Sequence, residues 1–493
     1  MTGLTVAVDA GTSFIKAVVL SGSGREIAVA TSPTAVLHPT VERSEQDMHE
    51  VREAVLDCIA RAVSGVDGTV ERIAVTAQGD GAWFVDASGR PHGNAVLWND
   101  GRATDVISRW SQGEVLERAF RINGSLGNLG LPHALLAWFH DHEPQRVDGV
   151  GSVLTCGGWL YLALTGVLGL HPSDASAPWL DLQTGEVSDE LLEIAGIGWA
   201  RALVPPVLPL EQCTAPLRDD VAARVGVPAG VRVTIAPYDV VATGVGSGAT
   251  AVDDAFCILG TTLCTGVLRA RADTSGSPAG LTLLTGRGGP VVRAFPTLAG
   301  TGVVDWAVAL LGLNGPADLT ELAAQSPPGA RGVRVWPYLS PAGERAPFLD
   351  PAARGVIGGI TLATDSADIA RAVIEGLAHV IRDCLEATGS NPTSLALSGG
   401  GAGSALWCST IADITGVATT RGDRSQVGAR GALVAALTAD GDAAAVQTVL
   451  DRMDRTTIEP VPQHRSLADD RHADFLATRA ALADRWSTWR TAS

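Results

Sequence analysis

The sequence predicts an α/β protein of two lobes. Three observations carry that expectation: a chain of 493 residues, well past the roughly 250 to 300 at which one hydrophobic core stops growing; apolar runs that switch between strand and helix periods; and a strand-turn-strand pattern that returns at half the chain length. Hydrophobic residues make up 46% and charged residues 18%, with 57 glycines and 26 prolines, the composition of a compact globular protein.

The N-terminus reads as a β-meander: Leu4 to Val8 apolar, a turn at Asp9 to Thr12, Phe14 to Leu20 apolar, and a second turn at Ser21 to Gly24. A helical pattern follows from about Asp47 to Val63, with Val51, Val55, Cys58, Ile59 and Val63 on one face, then a strand at Arg72 to Thr76. The uncharged stretch Gly149 to Leu170 is long enough to span a bilayer, but six glycines break it and no basic cluster flanks it. A buried strand and helix is the expectation there. A strand at Val231 to Ala236 leads through Asp239 into the Gly/Ala-rich Val240 to Ala251, the natural crossing point to the second half. There the opening grammar returns: Ala255 to Leu259 apolar, a turn at Gly260 to Thr262, Leu263 to Leu268 apolar, with Gly260 lying 249 positions after Gly11. A Pro-rich connection (Trp336 to Pro351) precedes a helix from about Ser366 to Ala387, a strand at Ser394 to Leu397, the turn SGGGAGS (Ser398 to Ser404), a helix from about Ala405 to Thr415 and an amphipathic Leu467 to Trp489.

Charge and cysteine usage narrow the function classes. A net charge of −17 repels nucleic-acid phosphate and anionic lipid, so neither is an expected partner. The seven cysteines (58, 156, 213, 257, 264, 384 and 408) form no C-x-x-C pair and read as buried thiols of a reducing cytosol, not as a disulfide framework or zinc site. The start lacks the basic and apolar regions of a signal peptide, so a cytoplasmic protein is expected.

A hairpin turn of Gly and hydroxyl residues offers backbone N–H and side-chain O–H groups to one point, which suits phosphate oxygens, although ordinary hairpins also use Gly and Thr. Lys16 strengthens the phosphate reading of the first turn. It is the one lysine among 36 basic residues, five positions after Gly11, where a compact point charge can serve a phosphate. Asp9, at the end of its strand, suits a carboxylate that holds Mg²⁺ through water, or one that caps the turn. Asp239 closes a strand and opens a glycine-bearing helix, the position of a general base aimed into a cleft or of a helix N-cap. SGGGAGS lets the backbone pass close under a nucleotide. A dinucleotide-binding unit would use Asp423 as its ribose acid, but Ser404 replaces the third glycine of G-x-G-x-x-G and no Walker A is present.

These residues resemble the FGGY carbohydrate kinases of the actin-like ATPase superfamily over nearly the whole chain. The most specific stretch is Gly355-Val-Ile-Gly-Gly-Ile360, seven residues, then Asp368-Ile-Ala-Arg-Ala-Val-Ile-Glu375. Around it stand YLSPAGERAPFLDPAARG (Tyr338 to Gly355), VDAGTSFIK (Val8 to Lys16), EQD (Glu45 to Asp47), LWNDGR (Leu97 to Arg102), LTG (Leu164 to Gly166) and LSGGGAGS.

The resemblance implies a ribonuclease H-like, actin-like fold with the ligand cleft between lobes. Residues 1–248 would form the N-terminal lobe, carrying the sugar site, the first phosphate hairpin and the base; residues 249–493 would form the C-terminal lobe, carrying the second phosphate hairpin and the adenosine site. It implies ATP and Mg²⁺ as cofactors, with Asp9 and Asp239 as metal carboxylates and Asp239 as catalytic base. Gly11, Thr12, Ser13 and Lys16 would lie beside the transferred phosphate, Gly260, Thr261 and Thr262 would form the opposing turn, and Gly399, Gly400, Gly401 and Ser404 would bind the adenosine. Lobe closure would expel water before in-line transfer to a primary hydroxyl.

Departures from the family pattern bear on the acceptor. The lysine usual in the first signature is missing from Leu131 to Pro144. Where xylulose kinases show Gln-Met-His and glycerol kinases Gln-Arg-Glu, this chain has Gln78, Gly79 and Asp80; Gly79 opens space and Asp80 can accept bonds from two adjacent hydroxyls. With Tyr238 and Asp239 in PYDVVATG (Pro237 to Gly244), this looks most like the erythritol kinase and L-xylulose kinase branch. Trp98 would add an apolar wall and Asn99 and Asp100 polar contacts, the other reading of these three being core packing and loop capping. The expectation is a kinase acting on a terminal hydroxyl of a small sugar or polyol, a tetritol such as erythritol first and L-xylulose second, working as a homodimer. Two rivals remain: a non-catalytic actin-like regulator, and an NAD-binding oxidoreductase.

Overall fold

The computed structural model describes residues 3–286, 289–422 and 426–489. The chain divides into two compact units, one of Met1–Gly248, Arg269–Val292 and Arg424–Met453, the other of Ala249–Leu268, Arg293–Asp423 and Asp454–Ser493.

The first unit is built on a six-stranded sheet in the order Thr214–Pro216, Arg232–Ile235, Val70–Ala77, Leu4–Ala10, Phe14–Leu20, Glu26–Pro33. The last three are the antiparallel meander read from the N-terminus. Leu4–Ala10, Val70–Ala77 and Arg232–Ile235 run parallel, so their C-terminal ends open on the same edge. A strand buried on both faces reads as an unbroken apolar run because its two side-chain rows meet two different layers. Val6 and Val8 pack with the Met48–Val63 helix through Val51, Val55, Cys58 and Ile59. Ala7, pointing the other way, packs with Ala429, Ala432 and Leu433 of the Val427–Ala439 helix. Burying each Val or Leu side chain in these layers is worth roughly 1.5–3 kcal/mol. The Met48–Val63 helix starts where Asp47 accepts the His49 and Glu50 N–H groups.

The uncharged stretch before Leu170 folds as the buried strand Val150–Leu154 and helix Cys156–Thr165. Among the described residues, no helix is long and apolar enough to cross a membrane. All seven cysteines are buried and none is in a disulfide.

In the second unit the sheet runs Val291–Pro296, Leu263–Arg269, Ala255–Leu259, Ser394–Ser398, Ala418–Gly422, Arg455–Ile458. The logic of the first unit repeats: an antiparallel hairpin whose first strand pairs in parallel with a later strand, here Ser394–Ser398. The signature-bearing Ser366–Ala387 helix begins in a capping box between Asp365 and Asp368. Asp368 also accepts from Ser326 and Arg331, which makes this part of the signature structural.

Candidate active site

Because three strands of the first unit run parallel, their C-terminal ends collect three groups on one edge. Asp9 lies near the end of one strand and the turn Gly11 to Ser13 follows it, Gln78 to Asp80 follow the second, and Tyr238 and Asp239 follow the third. The antiparallel register sets Lys16 opposite Asp9.

The turn is tied to the neighbouring strand end by side chains. The Thr12 hydroxyl donates to Gln78 Oε1 at 2.7 Å and accepts from Trp98 Nε1 at 2.9 Å. Gln46 Nε2 donates to the Thr12 carbonyl at 3.0 Å, and Gln78 Nε2 donates to Gln46 Oε1 at 2.8 Å. The Thr12 proton therefore points at Gln78, which departs from the expected hydroxyl aimed at phosphate; the Gly11 N–H is spent on the Phe14 carbonyl, so what the turn offers an anion is the Thr12 and Ser13 N–H groups, the Ser13 hydroxyl and Lys16. Trp98 likewise offers more than an apolar wall, since its indole N–H holds this turn.

Gly79 also differs from its expectation. A Cβ there would fall 1.3 Å from Tyr238 Cε2, so the room made by the missing side chain is filled by the Tyr238 ring. Asp80 adopts the left-handed backbone region, φ 53°, which turns the chain sharply at the strand end.

Asp100 is a loop anchor, not a free polar contact. Its side chain is 0% exposed; one oxygen accepts the Arg102 backbone N–H and Nε, the other the Ser44 N–H and Arg102 Nη2. All four lone-pair directions are filled by the protein. Asn99 beside it is exposed.

Asp239 is the first residue of the Asp239–Ser247 helix, and its Oδ1 accepts the Val240 N–H at 2.7 Å. Burial, then the charge of Asp9, then those of Asp174 and Asp80, push its carboxyl up to about 8. Burial raises Asp9 as well, with the Lys16 charge opposing. Behind Asp9 stands the Val427–Ala439 helix: a Cβ on Gly428 would come 2.8 Å from Asp9 Oδ2. Burial raises both carboxyls and the Asp9 charge raises Asp239 further, a charge pattern relieved by a divalent cation. Among the described residues no three or more His, Cys, Asp or Glu side chains converge as a metal site. Mg²⁺ keeps most of its water and needs only one or two carboxylates, so this donor pair fits it.

In the second unit, Gly260 to Thr262 and Gly399 to Gly401 follow neighbouring parallel strands, with Ile258 paired to Ser398. Gly260 and Thr261 carbonyls accept the N–H groups of Thr301 and Gly302 at the start of the Thr301–Leu310 helix. Gly401 abuts Trp407, where a Cβ would lie 2.4 Å from the ring, while Gly400 and Gly403 face open space. Ser404 caps the Ala405–Thr415 helix by accepting the Trp407 N–H. Asp423, the acid of the dinucleotide alternative, lies outside the described residues.

Sequence reasoning did not find Gly428, Gln46 as a side-chain partner, or the buried group Thr155, His171, Ser173 and Asp174 behind Tyr238. The local signal was thin: HPSD before an apolar stretch reads only as a helix start.

Residues 4–246 match the N-terminal domain and residues 255–439 the C-terminal domain of the FGGY family of carbohydrate kinases. The chain is 32% identical over 472 residues to an erythritol kinase of Brucella abortus, covering 89% of this chain and 88% of that one. It is 31% identical over 429 residues to a xylulose kinase of Escherichia coli, covering 83% and 84%. In fold it superposes on a gluconate kinase from Lactobacillus acidophilus with TM-score 0.93 at 20% identity, covering 99% of this chain and 100% of the other.

Proposed function

This chain belongs to the FGGY family of carbohydrate kinases, with their two-domain, actin-like α/β fold, and from that premise we propose that it transfers the γ-phosphoryl group of ATP to a terminal hydroxyl of a small polyol, erythritol or another tetritol first. Sugar or polyol kinase activity belongs to the family; the choice of acceptor, the metal and the residue roles are our reading.

The observation that carries it is the meeting of Asp9, Gln78 to Asp80 and Tyr238 to Asp239 at the ends of three parallel strands. Asp239, whose carboxyl is raised by burial and by Asp9 in the metal-free protein, stands where a general base would face the acceptor hydroxyl. It would take the proton of the acceptor hydroxyl as the phosphoryl group arrives. Asp80 and Tyr238 would line the acceptor, with Gln78 and Trp98 fixing the wall behind it and Asn99 exposed at the rim. Lys16 and the backbone of Gly11 to Ser13 would take up phosphate charge, as would Gly260 to Thr262; Gly399 to Gly401 and Ser404 would receive the adenosine. Mg²⁺ held by Asp9 and Asp239 would supply charge neutralisation at the phosphate oxygens.

The substrate order rests on Gln78, Gly79 and Asp80 and on the likeness to an erythritol kinase; the likeness to a xylulose kinase keeps L-xylulose and other pentuloses as the second reading. A coupled ADP-release screen over tetritols, pentitols, ketopentoses, glycerol and their enantiomers decides between them. The highest kcat/KM is expected for a tetritol. A higher value for a ketopentose would replace the first reading with the second.

A further inference from the structure

The base stands on a turn that is held from behind by a buried polar chain. The Pro172–Trp179 helix starts at His171, whose Nδ1 accepts the Ser173 backbone N–H at 3.1 Å, so this nitrogen is unprotonated. Ser173 Oγ has two acceptors for its one proton, the same nitrogen at 2.8 Å and Asp174 Oδ2 at 3.1 Å, and itself accepts the backbone N–H of Tyr238 at 2.9 Å. Asp174 Oδ1 accepts the Thr155 hydroxyl at 2.7 Å. All four side chains are buried. The chain of bonds runs from Thr155 through Asp174 and Ser173 to the Pro237–Tyr238 peptide, one peptide before the one that joins Tyr238 to Asp239.

We propose that Ser173 and Asp174 are positioning residues of the phosphoryl-transfer reaction, fixing the Tyr238 peptide and through it the direction of the Asp239 carboxylate. The inference rests on the reading of Asp239 as base.

Two features separate this arrangement from ordinary core packing. Tyr238 is gripped on both sides, its ring by the bare α-carbon of Gly79 and its N–H by Ser173, at the residue where strand turns into helix. And the anchor is a carboxylate bonded to two hydroxyls, with no arginine or lysine paired to it among the described residues, an expensive group to bury for support alone. With His171 Nδ1 it holds the Ser173 proton on one side, which turns an oxygen lone pair toward Tyr238. A displacement of about 1 Å at a catalytic group is enough for a 100-fold loss of rate.

The test uses the full-length enzyme with ATP and the best acceptor from the screen, and compares Ser173→Ala, Ser173→Thr, Asp174→Asn and Asp239→Asn. Ser173→Ala is expected to lower kcat about 10- to 100-fold with KM for ATP within about twofold of wild type. Ser173→Thr, which keeps the hydroxyl, is expected to restore most of it, and Asp174→Asn to fall between. Wild-type kcat in Ser173→Ala, or a loss that Ser173→Thr does not recover, overturns the proposal. If Ser173→Ala does not fold, Ser173→Thr and Asp174→Asn decide: both at wild-type kcat reject it, the graded loss supports it. Full turnover in Asp239→Asn would instead remove the base itself, so the two failures are told apart.

Discussion

The Tyr238 ring rests on the α-carbon of Gly79, with no space for even one carbon between them: a Cβ at residue 79 would fall 1.3 Å from Tyr238 Cε2. The contact joins the end of one parallel strand to the end of another and sets the height of the turn that carries Asp239.

Gly79→Ala therefore forces the ring, and the adjoining base, out of place. Overpacking of this kind costs roughly 1–3 kcal/mol, and chemical denaturation should show a loss in that range with kcat down at least tenfold. Adding Tyr238→Ala removes the clash, so the double variant should regain stability relative to the sum of the singles while staying slow. Additive losses would show that the ring has room to move.

Asp239→Asn should leave ATP binding intact and reduce transfer by about 10²- to 10⁴-fold, the contribution of a general base. The same variant has a pH signature in the free protein. Between the ordinary value of 3.8 and about 8 the native state keeps a proton on Asp239 that the unfolded chain has released. Stability from this group is thus complete below 3.8 and falls as pH rises toward 8. Asparagine does not ionise, so in EDTA and without nucleotide its Tm advantage over wild type should grow from about pH 5 to about pH 8. A difference flat across that range would contradict the shift.

Asp100→Ala tests anchoring against acceptor contact. Arg102 is left buried with half of its partners gone, although Glu45 still pairs with it. Removing one member of a buried ion pair costs about 3–5 kcal/mol, so urea unfolding should lose an amount near the lower end. KM for the acceptor should stay within about twofold in the protein that remains folded. A large rise in KM at unchanged stability would return Asp100 to the binding site.

Gly428→Ala places a methyl group 2.8 Å from Asp9 Oδ2. The carboxylate must turn away, and the Mg²⁺ concentration for half-maximal activity should rise several-fold with KM for the acceptor little changed. An unaltered Mg²⁺ requirement would detach Asp9 from the metal role.

Local signals carried much of this into the sequence. The two Gly-Thr turns, the Ser366–Ala387 helix with its Asp365 cap and the glycine-bearing helix after Asp239 are written in neighbouring residues. For Asp100 the sequence left acceptor contact and loop capping side by side; Arg102, two positions away, and Ser44, 56 positions away, fill its oxygens in the fold. What stayed hidden depends on register between distant segments. Nothing near Gly79 announces Tyr238, nothing near Asp9 announces Gly428, and the hydroxyl of Thr12 was assigned to phosphate because Gln78 and Trp98 reach it only after three strands have paired.

That hydroxyl has a consequence for how the two substrates sense each other. One hydrogen bond joins the loop read as gripping the donor to the buried glutamine read as standing behind the acceptor. An alcohol that draws Gln78 toward itself loosens or tightens the loop, and by linkage the nucleotide must alter affinity for the alcohol by the same factor. Filling one pocket is thereby a message to the other, sent through a single proton.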